Sequence, residues 1–204
     1  VREVNAVFDF IEKPYTPVNF KELLVSPNDM RKRLIALINK EIKNKEQGKD
    51  AYILAKVNHI TDRALIEKLY EASAAGVKIE LVVRGNCSLV PGVPGVSENI
   101  HINGIIDRYL EHSRIFIFAN AGEERYYIGS ADWMPRNLDN RIEVLTPVYD
   151  KVIQAELKRV VCYGLRDTAK GRIVDGSGEN KTWENSDAPF RSQEELYKYY
   201  KESE

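Results

Sequence analysis

Met30, Leu34, Leu37, Ile38 and Ile42 recur three and four residues apart in a stretch otherwise dominated by Lys, Arg, Asn and Glu. That period marks one apolar face of an amphipathic helix. Its start is signalled by Ser26 as N-cap, Pro27 at the first helical position and Asp29 three residues after the cap. A second helix is written in "TDRALIEKLYEASAAG", with Leu65, Ile66, Leu69, Tyr70 and Ser73 inward and Gly76 as the stop. Around it lie two β-patterned runs, "AYILAKVN" and "VKIELVVRG". A strand–helix–strand unit predicts two parallel strands joined by a right-handed crossover. Leu81, Val82 and Val83 form an unbroken apolar run, as in a strand covered on both faces.

Elsewhere the pattern is shorter. "EVNAVFDFIE" reads as the end of a helix whose partner is missing, and "NFKELLVSP" as a short strand. "CSLVPGVPGVSENIHI" is a Pro/Gly loop running into a strand, "RIFIFA" and "RYYIGS" make a hairpin over "NAGEE", and "NRIEVLTPV" is a further strand. "DKVIQAELKRVVCYGL" predicts a helix capped by Asp150, with Val152, Ile153, Leu157, Val160 and Val161 inward. Beyond Gly164 the chain turns polar and reads as loop, up to a short terminal helix, "SQEELYKYYKES", with its own Ser-x-x-Glu capping box. The body, residues 18–165, is therefore a mixed α/β sandwich.

Composition narrows the function classes. The 204 residues carry a net charge of -1, so affinity for a polyanion has to come from a local patch rather than from the global field. Cys87 and Cys162, the only cysteines, have no metal-type spacing and fit buried thiols in a reducing compartment. No apolar run reaches membrane-spanning length and no secretory signal opens the chain. The first residue is Val1, which sets the expectation of a piece of something longer, with part of the active site elsewhere.

Candidate chemistry collects where strands end, which is where open α/β sheets hold ligands. "AYILAKVN" ends in Asn58-His59 and "IELVV" in Arg84-Gly85-Asn86. Arg84 directly after two valines has two readings, a salt bridge to a loop carboxylate or a clamp on phosphate. His112 and Arg114 alternate before the hairpin and would face the same way; an imidazole beside a cation suits phosphoryl chemistry, while a surface pair is the bland alternative. "GSADWMPRNLDNRIE" adds small polar groups: Gly129 for close backbone approach to a ligand, Ser130 and Asn137 as hydrogen-bonding groups, Arg136 and Arg141 as extensions of a basic patch, Trp133 and Met134 as core wedges. His59 and His101 have no evident partner in the sequence.

"EHSRIFIF" and "YIGSADWMPRN" resemble the phospholipase D type of phosphoryl-transfer fold, with Arg114 where that family has Lys, Ala119 where it has Asp, and Asp132 where it has Asn. A longer resemblance covers nearly the whole chain. "LLVSPNDMRKRLIALINKEI", "AKVNHITDRALIEKLYEASAAGVKIELVVRGNCSLVPGVPGVSENI", "YLEHSRIF" and "SADWMPRNLDNRIEV" are similar to the last domain of bacterial polyphosphate kinases. The resemblance implies a phospholipase D-like α/β/α sandwich with a mixed β-sheet over residues 18–165, preceded by the tail of another domain (1–17) and followed by a C-terminal extension (166–204). It implies reversible transfer of the terminal phosphate of ATP onto inorganic polyphosphate with Mg²⁺, through a phosphohistidine. That histidine, the arginines of the magnesium site and an ATP-contacting tyrosine lie in the preceding domain, absent here, so no metal ligand is expected in this chain.

Two family positions carry over. Arg84 matches an ATP-phosphate-binding arginine, and His112 matches a histidine that binds nucleotide and acts as general acid or base. Arg114, Ser130 and Asn137 fall within matching motifs as supports of the same anion site. The expected partners are ATP, inorganic polyphosphate, the preceding domains of the same polypeptide and further copies of itself, with no nucleic acid, in the cytoplasm or at the membrane periphery. The fragment alone is expected to be inactive. Two other readings stand beside this one: a phosphodiesterase half-site completed by dimerisation, and a non-catalytic polyanion-binding module.

Overall fold

The computed structural model describes residues 1–183 and 188–202. Eight strands form one mixed sheet: β1 (Leu24–Ser26), β2 (Tyr52–Val57), β3 (Lys78–Val83), β4 (Ile100–Ile105), β5 (Ile115–Phe118), β6 (Arg125–Gly129), β7 (Glu143–Val148) and β8 (Gly171–Ile173), in the order β1-β7-β6-β5-β2-β3-β4-β8. β2, β3 and β4 run parallel, and every other neighbouring pair is antiparallel. Helices α2 (Met30–Glu46) and α3 (Arg63–Ala74) cover one face; α4 (Lys151–Arg166) and α5 (Ser192–Glu202) lie on the other. This is the α/β/α sandwich with a mixed sheet that the sequence predicts.

Alternation along the strands divides the core. Ile53, Ala55 and Val57 of β2 and Phe116 and Phe118 of β5 point toward α2 and α3, where Leu34, Ile38, Leu65 and Leu69 are fully buried. Leu54, Ile115 and Ile117 point the other way, toward Leu157 and Val161 of α4. The strands of the sheet centre are thus apolar on both faces, as the run Leu81–Val83 implied. The predicted cap of α4 forms, Asp150 accepting from the N–H groups of Val152 and Ile153 at 2.8 and 3.1 Å, and α3 has a cap of its own in Asp62, which accepts from the Leu65 N–H at 3.0 Å. Gly76 closes α3 with φ +86°, a conformation open to glycine.

Five expectations need correction. Ser26 does not cap α2, because it is the last residue of β1; its hydroxyl donates to Arg141 O at 2.9 Å and accepts from Glu143 N–H at 3.1 Å, and Asp29 takes the N-cap position. Val152 and Ile153 are exposed rather than inward. The stripe of α4 lying on the sheet passes through Gln154, Leu157, Val161 and Gly164; Val152 lies on the opposite side of the helix, and Ile153, one turn before Leu157, sits in the first turn and remains 49% exposed. Helix α1 (Arg2–Glu12) does have a partner: Phe10 packs on Phe20, Leu23 and Val25, and the Glu3 carboxylate accepts from the N–H groups of residues 21, 22 and 23, although Val4, Phe8 and Ile11 stay exposed. The polar stretch after Gly164 contains a strand, β8, which pairs antiparallel with β4. Ser192 does not act as a cap for α5, since its hydroxyl donates instead to Asp167 at 2.6 Å. Among the described residues, no helix is long and apolar enough to cross a membrane.

Candidate functional site

One end of the sheet gathers four chain segments. β2 and β3 deliver Asn58-His59 and Arg84-Gly85 at their carboxyl ends; β5 is antiparallel to β2, so the residues just before it, His112–Arg114, arrive at that same end; β6 exits there into Ser130–Trp133. Topology alone therefore collects residues separated by more than seventy positions in sequence.

Arg84 and His112 meet. The Arg84 Nη2 lies 3.2 Å from His112 Nδ1, and Arg84 Nε donates to Asn58 Oδ1 at 2.8 Å. A guanidinium only donates, so Nδ1 holds a lone pair and the imidazole proton sits on Nε2. That nitrogen has no hydrogen-bond partner among the described residues, and the His112 side chain is exposed. No carboxylate among the described residues pairs with Arg84, which removes the salt-bridge reading of that residue. Desolvation, then the charges of Arg114 and Arg84, hold His112 below its ordinary value of 6.5; Asp132 pulls upward without cancelling them. The ring is neutral at neutral pH, a donor through Nε2.

Behind this pair lies a buried support. Arg114 donates to Asp132 through Nε at 3.3 Å and Nη2 at 3.0 Å, and through Nη1 to the carbonyl of His112 at 2.9 Å. Asp132 also accepts from Asn58 N–H at 2.7 Å, Asn58 Nδ2 at 3.3 Å and His59 N–H at 3.4 Å. Burial would raise its carboxyl, but the Arg114 and backbone donors outweigh burial and hold it below the usual carboxylate value. The contacts close a ring: Arg84 to Asn58, Asn58 to Asp132, Asp132 to Arg114, Arg114 to the backbone of His112, and His112 back to Arg84. Three of the five N–H groups of Arg114 are thus engaged, its charge is paired with Asp132, and its Nη1 holds the backbone of His112.

Ser130 and Asn137 are drawn elsewhere. The Ser130 hydroxyl accepts from Val144 N–H at 3.3 Å, at the junction of β6 and β7. Asn137 is buried in a short π-helical turn and donates to Glu143 at 2.6 Å, part of the group that also holds Ser26. Gly129 permits close backbone approach, but to its neighbouring strand rather than to a ligand: a Cβ there would lie 1.9 Å from Val144 O. Trp133 is fully buried and stacks on Phe116 with ring centroids 5.4 Å apart, while Met134 is half-buried. Arg136 and Arg141 are exposed, the latter 3.8 Å from Glu143.

Sequence reasoning gave no role to three contributors that it had placed near strand ends. Asn58 and Asp132 build the ring; Asn58 directly follows β2, and Asp132 lies three residues beyond β6. His59, read as partnerless, accepts from the Asn86 N–H at 2.9 Å through Nδ1 and stands against Gly85, where a Cβ would come within 2.4 Å of the imidazole. Together with Arg84 and Gly85 it lines a cleft of about 420 Å³ whose far wall is the loop bearing Tyr109, Leu110 and Glu111. Among the described residues no group of three or more His, Cys, Asp or Glu could hold a metal ion. The one buried carboxylate at the site, Asp132, has both oxygens engaged by N–H donors.

A mixed-sheet sandwich with a histidine and an arginine converging at its strand ends defines a protein of the phospholipase D-like class of folds. Consistent with that, a phospholipase D family member, Nuc from Salmonella typhimurium, superposes with a TM-score of 0.52 at 13% identity, covering 74% of this chain and 95% of that one, a likeness of fold alone. Far closer is the crystal structure of a polyphosphate kinase from Porphyromonas gingivalis, with a TM-score of 0.92 and 43% identity over 98% of this chain and 31% of that one. A polyphosphate kinase of Vibrio vulnificus is 46% identical over 203 residues, 99% of this chain. The family model described as "Polyphosphate kinase C-terminal domain 2" matches residues 23–193. The chain belongs to the polyphosphate kinase C-terminal domain family. It spans only 29% of the length of the Vibrio relative.

Proposed function

We propose that this domain supplies one half of an ATP and polyphosphate site in a polyphosphate kinase. The reading rests on one observation: a guanidinium without a carboxylate partner lies 3.2 Å from a histidine whose other nitrogen is open to solvent. A terminal phosphoryl group bound there would accept from Arg84 and from the Nε2–H of His112. A histidine outside this chain attacks the γ-phosphorus, the bond to the bridging oxygen breaks, and that oxygen leaves on ADP. Arg84 offsets the charge that develops on the phosphoryl oxygens. Carried to imidazolium by the bound polyanion, His112 donates the Nε2 proton to the leaving oxygen and returns to neutral imidazole, and in the reverse direction takes the proton back. The terminal oxygen of polyphosphate then attacks the phosphohistidine and carries the phosphoryl group away.

A bound polyanion favours imidazolium, so the low proton affinity of His112 in the empty site rises when phosphate arrives. Mg²⁺ would be held by residues outside this chain, since both oxygens of Asp132 are engaged by N–H donors. The preceding domains and further copies of the polypeptide are the expected protein partners. The unpaired thiols Cys87 and Cys162 support a cytoplasmic setting. The phosphodiesterase alternative is weakened by Arg114, whose pairing with Asp132 leaves it unable to serve as that family's free lysine would.

The test uses a protein carrying this domain together with its preceding domains. Arg84→Ala and His112→Ala should each abolish measurable transfer from ATP to polyphosphate, and the 204-residue chain alone should bind ATP without turning it over. Transfer that survives both substitutions, or turnover by the isolated chain, would refute the reading.

A further inference from the structure

The loop from Ile106 to Arg114 joins β4 to β5 and carries His112, yet contains neither helix nor strand. Such a segment keeps one conformation only if something outside it supplies hydrogen bonds. Here the supplier is the turn that opens α5. Arg191 forms a two-pronged pair with Asp107, Nε to Oδ2 at 2.8 Å and Nη2 to Oδ1 at 2.7 Å, and the Asp107 side chain is 2% exposed. The Gln193 amide pairs with the Tyr109 backbone in both directions, accepting from its N–H at 2.9 Å and donating to its carbonyl at 2.9 Å, as a neighbouring strand would. Gln193 Nε2 also donates to Glu111 at 2.8 Å, and the other oxygen of Glu111 takes the ammonium of Lys56, a buried cation on β2.

The turn itself is fastened to the sheet. Asp167, fully buried at the end of α4, accepts from Ser192 N–H at 2.7 Å and from its hydroxyl at 2.6 Å, and the Asp167 carbonyl accepts from Asn103 of β4 at 3.0 Å. A continuous path of buried and half-buried hydrogen bonds thus runs from β4 through Asp167 and α5 to Asp107, Tyr109 and Glu111, ending one position before His112.

We propose that Arg191 and Gln193 are positioning residues of the phosphoryl site: the start of α5 is a brace that sets the His112 loop against Arg84. The brace is a property of the loop, and its relevance to phosphoryl transfer rests on the function proposed above. The C-terminal segment is then part of the site's construction.

The experiment needs no nucleotide, so it is separable from the test of that function. In the 204-residue chain, amide hydrogen exchange over residues 106–113 and the pH titration of the His112 ring are followed by NMR in Gln193→Ala, Arg191→Lys and the outward-facing control Tyr197→Ala. Gln193→Ala should speed exchange in the loop by about tenfold or more while leaving β2 and β3 unchanged. It should also move the His112 titration up toward the ordinary histidine value, because the ring is no longer held beside Arg84. Arg191→Lys, which keeps the charge and loses the fork, should do the same to a smaller degree, and Tyr197→Ala should do neither. Unchanged loop exchange and an unchanged ring titration would overturn the proposal, as would equal loosening of the whole sheet. If Gln193→Ala does not fold, Arg191→Lys is judged by the same two criteria. Failure of the wild-type chain to bind ATP would count against the proposed function and leave this result standing.

Discussion

The two ends of the sheet are built from similar parts to opposite effect. At the hairpin end, Glu124 accepts from the hydroxyls of Tyr52 and Tyr126 and pairs with Lys158 at 2.5 Å, so the one cation bound there meets its own carboxylate. At the other end Asp132 plays the same central part and neutralises Arg114, but a second arginine stands two hydrogen bonds away with no carboxylate at all. The difference teaches what separates a polar cluster from a binding site. Both ends pair a central carboxylate with a cation; at only one of them does an arginine without a carboxylate partner stand beside a ring nitrogen open to solvent.

Removing the neutralising partner should give the largest effect. Asp132→Ala leaves the Arg114 guanidinium buried without its counter-charge, and breaking such a pair costs about 3–5 kcal/mol. Chemical denaturation of the variant against the wild type measures it. Next comes Arg84→Ala, which should change stability by less than about 1 kcal/mol yet weaken ATP binding by roughly tenfold to a hundredfold, the worth of one charge-assisted contact. Calorimetric titration together with the same denaturation curve separates the two arginines: one holds the structure, the other holds the ligand.

A smaller effect concerns protonation. His112 should titrate below 6.5, and the midpoint should rise in Arg84→Ala as a repelling charge is removed. NMR titration of the ring checks both, and a midpoint at or above the ordinary value in the wild type would break the electrostatic account. The smallest lies near the hairpin end. Glu41 is buried, with one oxygen bound to Asn120 N–H at 2.8 Å and the other without a partner, and burial pushes its carboxyl up to about 6. A group whose folded value is raised stabilises the protein below its unfolded value and loses that contribution as pH climbs through the folded one. Glu41→Gln should therefore raise stability at neutral pH by about 1–2 kcal/mol, and the gain should vanish at pH 4. Thermal melting at the two pH values measures the difference.

How far this could be read from the sequence depended on periodicity and place. The helical stripe of Met30 to Ile42 follows directly from core burial, so its face came out right. β8 was missed because three residues in a polar stretch carry no period; it opens at Gly171, where a side chain would clash with the backbone, since a Cβ there would come within 2.0 Å of Asp167 O. Ser26 looked like a cap since Ser-Pro precedes a helix, but a partner far along the chain, Glu143, claimed its hydroxyl. Arg84 and His112 were legible as chemistry at strand ends. Their mutual distance was not, because it depends on β5 running antiparallel to β2. Nor was the pairing of Arg114 with Asp132 legible, since it is a matter of side-chain geometry that spacing does not encode.

The central claim is that a phosphoryl group is gripped jointly by Arg84 and His112. The direct measurement is an NMR titration of the 204-residue chain with inorganic tripolyphosphate, following the guanidinium of Arg84 and the ring nitrogens of His112. The account predicts that both sets of signals shift together along one binding curve, with the His112 Nε2 signal moving most and Arg114 remaining still. A curve that moves Arg114 or a distant patch while leaving the Arg84 and His112 signals in place would contradict it.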